Sequence, residues 1–187
     1  MGVVGARPPS NYVLFDSFNR TDNALSMGST NGYGALDPQA WTPELGTWGI
    51  QSNQAYCPSG GSIRSASVNS GLADNVTSIV TGTVGWGNFG FSPRYVDASN
   101  FLWVLLTAGN IFISSYTSGV NTNHTSVSVS WLEYDLVEAR CVGSSIEVYR
   151  NSSLILSSTR TEHQAASKQA LVANGGSRWD SFSVRSP

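Results

Sequence analysis

At 187 residues, with 12% of them charged and a net charge of −2, the chain suits a single β-rich domain and not a binder of nucleic acid or anionic membrane. Nineteen glycines and abundant Ser, Thr and Asn mark a turn-rich protein, and no long run carries a helical period. No apolar stretch approaches the roughly 20 residues of a membrane-spanning helix.

In chain order, residues 1 to about 11 read as an extended arm. Proline fixes φ and removes a backbone donor, so Pro8-Pro9 cannot join a ladder internally. Val3, Val4, Pro8 and Pro9 are the expected assembly contacts, lying against a neighbouring subunit. The segment has no basic start followed by an apolar core, so a secretory signal is not expected in it.

Residues 12 to 187 are expected to form one domain. Tyr12 to Phe18 predicts the first strand. Asn19 to Thr47 reads as a long loop punctuated by Gly28, Asn31-Gly32, Gly34 and Asp37-Pro38. From Trp48 onward strands are predicted over 48–51, 54–57, 62–67, 75–84, 88–95, 101–107, 110–115, 126–131, 136–142, 145–150, 154–158, 168–172 and 180–184. About 12 to 14 short alternating strands with turn residues between them imply an all-β, antiparallel two-sheet sandwich. Asp16-Ser-Phe18 and Asp180-Ser-Phe182 share a tripeptide, so the first and last strands are expected to pair.

Cys141 alternates with Val137 and Ala139 on one strand face, which places its thiol in the core; Cys57 and Cys141 are expected to stay unpaired. His124 and His163 lie too far apart in sequence to suggest zinc. Trp48, Trp103 and Trp179 are expected in the core. Trp86, flanked by Gly85 and Gly87, is the tryptophan expected to be exposed, and Trp86, Trp103 and Trp131 together could offer a sugar-stacking platform.

Phe15-Asp-Ser-Phe-Asn-Arg20, Trp41-Thr…Gly46-Thr-Trp-Gly-Ile50 and Phe91 to Asn100 resemble the concanavalin A-like or laminin G-like jelly roll. So do Val137-Glu-Ala-Arg140…Ser145 to Asn151 and Trp179-Asp-Ser-Phe182, and together these cover nearly all of residues 12–185. The nearest likeness is to jelly rolls in virion proteins of tailed bacteriophages. It implies a non-enzymatic structural protein on the particle surface, decorating the capsid or else the tail. Such a protein would dock as an oligomer on major capsid or tail proteins, with a polar Ser/Thr/Asn face turned outward toward host-surface glycans. The alternative is a carbohydrate-binding module or lectin, and the third reading is a retaining glycanase.

Glu133-Tyr-Asp-Leu-Val-Glu138 is similar to the Glu-x-Asp-x-x-Glu of retaining glucanases of this fold, making Glu133, Asp135 and Glu138 the catalytic candidates. Retaining chemistry needs two carboxyls about 5–5.5 Å apart. Glu133 and Glu138 have opposite strand parity, so a bulge after Leu136 would be needed to align them. Their late position in the chain favours instead a string of exposed structural carboxylates. By the same likeness Asp16 and Asp180 are the candidates for a calcium site, although calcium prefers six to eight oxygens, and no other cofactor is expected.

Overall fold

Alternation of apolar and polar residues decides which face each strand buries, and the chain uses it almost throughout. The computed structural model describes residues 11–31, 38–58, 62–82, 87–130 and 132–187. Val3, Val4, Pro8, Pro9, Trp86 and Trp131 lie outside those residues, as do the expectations attached to them.

Fifteen strands form and no helix among the described residues. They are β1 (Tyr12–Asp16), β2 (Thr42–Leu45), β3 (Gly49–Gln51), β4 (Gln54–Tyr56), β5 (Arg64–Asn69), β6 (Asn75–Thr81), β7 (Phe89–Asp97) and β8 (Asn100–Leu106). The chain continues with β9 (Asn110–Thr117), β10 (Val120–Ser128), β11 (Leu136–Val142), β12 (Ser145–Arg150), β13 (Ser153–Thr159), β14 (Lys168–Ala173) and β15 (Arg178–Arg185).

One sheet of eight strands runs β13-β12-β11-β6-β15-β4-β3, with β1 also on β15; the other, of seven, runs β10-β9-β8-β7-β14-β5-β2. Every pairing is antiparallel. The first and last strands do pair, Asp16 standing opposite Phe182.

Between the sheets lies the main core. Leu102, Val104, Ile111 and Ile113 from one side meet Val137, Ala139, Ile146 and Val148 from the other, all fully buried. Trp48 and Trp179 pack with ring centroids 5.4 Å apart, and Trp179 meets Phe89 edge-on at 6.1 Å. Such pairs add about 0.5–1.5 kcal/mol beyond the area they bury. Cys57 and Cys141 are free and buried. Desolvation pushes their thiols up to about 11 and about 12, so neither is a nucleophile at neutral pH.

Two strand predictions are corrected. Thr42–Leu45 was expected to be loop, yet it pairs with β5 as the last strand of its sheet, where Pro43 is tolerated because an edge strand needs fewer donors. The strand expected at 126–131 begins instead at Val120 and ends at Ser128. Its first half, Val120-Asn-Thr-Asn-His-Thr125, has no apolar alternation because it is an edge strand with most of its side chains exposed.

Candidate functional site

Ser118 and Gly119, at φ 52° and 79°, form the two-residue turn that joins β9 to β10. Two successive positive φ values make a turn whose twist matches that of the strands, and glycine takes such a φ without strain. The hairpin fixes a register in which Asn121 faces Tyr116, Asn123 faces Ser114, Ser126 faces Phe112 and Ser128 faces Asn110. These pairs point away from the main core, because Ile111 and Ile113 take the inward positions.

Behind them is a second cluster on the outer face of the seven-stranded sheet, formed by Tyr95, Phe101, Trp103, Leu105, Ala170 and Val172 with Phe112 and Tyr116 packed against it. Tyr95, Phe101 and Tyr116 come from three adjacent strands and stack as a ladder, with centroids 5.6 and 4.7 Å apart and planes 27° and 11° from parallel. Trp103 is therefore buried as expected, but on this face and not between the sheets. Its indole Nε1 has no hydrogen-bond partner among the described residues. The ladder makes a rigid floor and leaves the part-exposed rings of Phe112 and Tyr116 at its open side.

The polar rim is only partly satisfied. Ser128 donates its hydroxyl to Asn110 Oδ1 at 3.0 Å, and Ser114 donates to Asn123 Oδ1 at 2.8 Å. The side-chain NH2 groups of Asn110 and Asn123 are left without a protein partner among the described residues. Strands β8, β9 and β10 contain no Asp, Glu, Lys or Arg. An uncharged floor of rings bordered by free amide donors and hydroxyls can stack on the apolar face of a sugar and hydrogen-bond its hydroxyls. A charged ligand would find no counter-charge on those three strands.

The carboxylates singled out in the sequence do not converge. Glu133 is exposed in the turn before β11, and β11 pairs with β6 and β12 without a register shift, so no bulge realigns it with Glu138. Asp135 is buried, not exposed as expected, because it organises that turn. It accepts from Leu132 N–H at 2.9 Å, from Arg150 at 3.0 and 2.7 Å and from Asn151 at 2.8 Å. Burial pushes its carboxyl up, but these hydrogen bonds and the Arg150 charge outweigh it and hold the group below its ordinary value. Glu138 faces outward from the eight-stranded sheet and pairs with Arg185 at 3.0 Å, lining a groove of about 230 Å³ with Val76, Arg140, Tyr149 and Ser152.

Asp16 and Asp180 have separate surroundings. Asp16 is fully buried and spends both oxygens on Phe18 N–H at 2.9 Å, Trp41 Nε1 at 2.7 Å and Arg20. Desolvation still pushes its carboxyl up against those partners. Asp180 is half-buried beside Gln54 and is also raised by burial. No cluster of three or more His, Cys, Asp or Glu suited to a metal occurs among the described residues.

His124 faces the other side of β10. Its Nε2 lies 2.9 Å from Ser115 Oγ, and its Nδ1 lies 2.7 Å from Arg160. With Arg160 donating to Nδ1, the ring is neutral and Nε2–H donates to Ser115. A base that activates a serine needs an acceptor behind it, and here the partner at Nδ1 is a cation. The pair is structural.

No family model matches the chain, and no curated protein matches it in sequence. Solved structures do resemble it. A carbohydrate-binding module, CBM66 from Bacillus subtilis, superposes with a TM-score of 0.60 at 13% identity, over 78% of this chain and 92% of that one. The β-glucanase of Bacillus licheniformis gives 0.58 at 12% identity, over 92% and 97%. The two sheets, their antiparallel pairing and this likeness decide the architecture.

The fold is the concanavalin A-like jelly roll.

The metal-free carbohydrate recognition domain of Emp46p shares this jelly roll, with a TM-score of 0.55 at 8% identity over 79% of this chain and 87% of that one. At these identities the likeness speaks for the fold alone, which hosts both binding domains and enzymes.

Proposed function

We propose that this jelly roll is a non-enzymatic glycan-binding domain that takes neutral sugars on the outer face of β9 and β10. The observation that carries the reading is the pair of part-exposed rings, Phe112 and Tyr116, set on an uncharged aromatic floor and bordered by Asn110, Asn121, Asn123, Ser126 and Ser128. Two of the superposed structures are named for carbohydrate binding or recognition, which supports the same reading. The separation of Glu133, Asp135 and Glu138 weighs against glycanase chemistry at that motif. A place on a phage capsid or tail, which the sequence likeness suggested, draws no support from these neighbours.

Titration with neutral oligosaccharides, followed by NMR or calorimetry, tests it. The wild type binds at least one neutral series, Tyr116→Ala weakens that binding roughly tenfold, and exposed Asn123→Ala weakens it without altering the fold. Absence of binding across gluco-, galacto- and manno-oligosaccharides, or binding untouched by both substitutions, overturns the proposal.

A further inference from the structure

A cavity of about 370 Å³ opens at the β3 margin of the eight-stranded sheet, lined by Asp22, Asn23, Ala24, Ile50, Gln51 and Tyr56. Its size is that of a small-molecule site. Backbone contacts fix its walls. Asn23 N–H donates to Ile50 C=O at 2.9 Å and Ile50 N–H donates back to Asn23 C=O at 2.7 Å, so residues 22–24 lie against β3. Gly49 permits that approach, because a Cβ there would collide with the Asn23 carbonyl oxygen. Ser52 and Asn53, at φ 56° and 61°, close the tight turn between β3 and β4.

Each polar side chain of the cavity is held by one hydrogen bond and keeps one group free. Asp22 Oδ1 accepts from Ser52 N–H at 2.8 Å, which leaves Oδ2 as an acceptor. Asn23 Oδ1 accepts from Leu25 N–H at 2.9 Å, so its NH2 group stays a donor. A guanidinium can only donate, so Gln51 turns Oε1 to Arg178 at 2.7 Å and its own NH2 group away. These two NH2 groups and Asp22 Oδ2 have no protein partner among the described residues. The Arg178 guanidinium also covers one face of Tyr56, 5.3 Å from the ring centroid, and steadies that ring in the wall.

Two amide donors, one carboxylate acceptor and an aromatic wall suit neighbouring hydroxyls on a sugar ring, since each hydroxyl both gives and takes a hydrogen bond. Asp22 and Arg178 bring one charge of each sign, which favours a neutral ligand. The place is remote from the β9–β10 face. β3 ends its sheet six strand spacings from β13, and β13 packs beside β10. At about 4.8 Å per spacing, the two margins stand roughly 29 Å apart.

We propose that this cavity is a second neutral-sugar site and that the domain is bivalent. The bivalence rests on the glycan-binding reading given above; binding in the cavity does not. Sites on opposite margins engage two branches or two chains, which links them and raises avidity.

Titration of the isotope-labelled intact chain with neutral gluco-, galacto- and manno-oligosaccharides, followed amide by amide in NMR, reads the two sites separately. In the wild type at least one series shifts the amides of residues 22–24 and 50–52. Asp22→Asn keeps Oδ1 for Ser52 but replaces the free acceptor with a donor, and weakens that response roughly tenfold. Gln51→Ala weakens it as well. Both positions are exposed, so the melting temperature and the response of β9 and β10 stay as in the wild type. Tyr116→Ala does the reverse, sparing the cavity. A cavity response unchanged by both substitutions, or a response confined to β9 and β10, overturns the second site and leaves the first standing. A response confined to the cavity keeps the second site and overturns the first, and with it the bivalence. Silence at both places overturns both.

Discussion

The outer face of the eight-stranded sheet and the β8–β10 end of the seven-stranded sheet are built on opposite plans. On the eight-stranded sheet, Glu138 pairs with Arg185, and Glu147 takes both Arg140 at 3.4 Å and the Tyr149 hydroxyl at 2.9 Å. These charges have their answer inside the protein. On the seven-stranded sheet, β8, β9 and β10 carry no carboxylate, lysine or arginine, and their stability comes from stacked rings. The seven-stranded sheet also pairs Lys168 with Glu44 at 3.3 Å on β14 and β2, but its β9–β10 end keeps amide donors in hand. A groove alone is therefore a poor guide to function in this molecule. The groove on the eight-stranded sheet is lined by self-satisfied ion pairs, whereas the amide donors of Asn110 and Asn123 stand outside it, on β9 and β10.

Removing one ring should break this contrast most severely. Phe101 is fully buried at the centre of the ladder, so Phe101→Ala is expected to cost about 3–5 kcal/mol in denaturant unfolding, by lost transfer energy and the cavity left behind. A cost under roughly 1 kcal/mol would mean that the ladder is not what orders this face.

A medium effect is expected from acid at the seam between β10 and the end of β13. His124 has its pKa lowered by burial first and then by the charge of Arg160, with Glu162 at 3.8 Å pulling the other way. The unfolded chain takes up a proton that the folded form resists. Stability is therefore full above the unfolded value of about 6.5, falls as pH drops below it, and levels off once the folded ring is protonated too. Denaturant midpoints should fall from about pH 7.5 to pH 5.5 in the wild type, and the slope should flatten in His124→Gln. An identical slope in both proteins would assign the acid sensitivity elsewhere.

The smallest effect belongs to the charged face. Glu138 and Arg185 are part-exposed, so Glu138→Gln should shift stability by about 0.5 kcal/mol or less, leave sugar binding intact and change no release of reducing ends from β-glucans or galactans. Turnover in the wild type that disappears in this variant would restore the glycanase reading.

Strands that bury one face showed themselves plainly in the sequence. Val137, Ala139 and Cys141 alternate against Glu138 and Arg140, and Ile146 and Val148 alternate against Glu147, so β11 and β12 were predicted to the residue. β10 was half missed because Asn121 to Ser126 bury almost nothing, and hydrophobic periodicity has no purchase on such an edge strand. The Ser118-Gly119 pair was the available signal, since a short turn after Ile111–Tyr116 demands a returning partner.

The candidate site was hidden for the same reason. Its Asn and Ser residues look like ordinary solvent-facing positions until register sets them beside Phe112 and Tyr116. The carboxylate motif was read as structural, with all three groups exposed, and only the burial of Asp135 departs from that. Spacing along the chain brought Glu133, Asp135 and Glu138 together, but the turn at Tyr134 and the inward Asp135 send them to three different surroundings.

The register shift between Asn123 and Thr125 has a consequence for how the protein behaves at high concentration. β10 is nine residues long, lies at the margin of its sheet and carries no lysine, glutamate or proline to repel a newcomer. A straight strand of that kind is a template on which a second chain can add its own backbone, and then a third. The extra residue at His124 kinks the row of outward N–H and C=O groups, and Arg160 ties it back against the molecule. Together, the irregularity and the Arg160 tie work against an uncharged margin becoming the seed of a fibre.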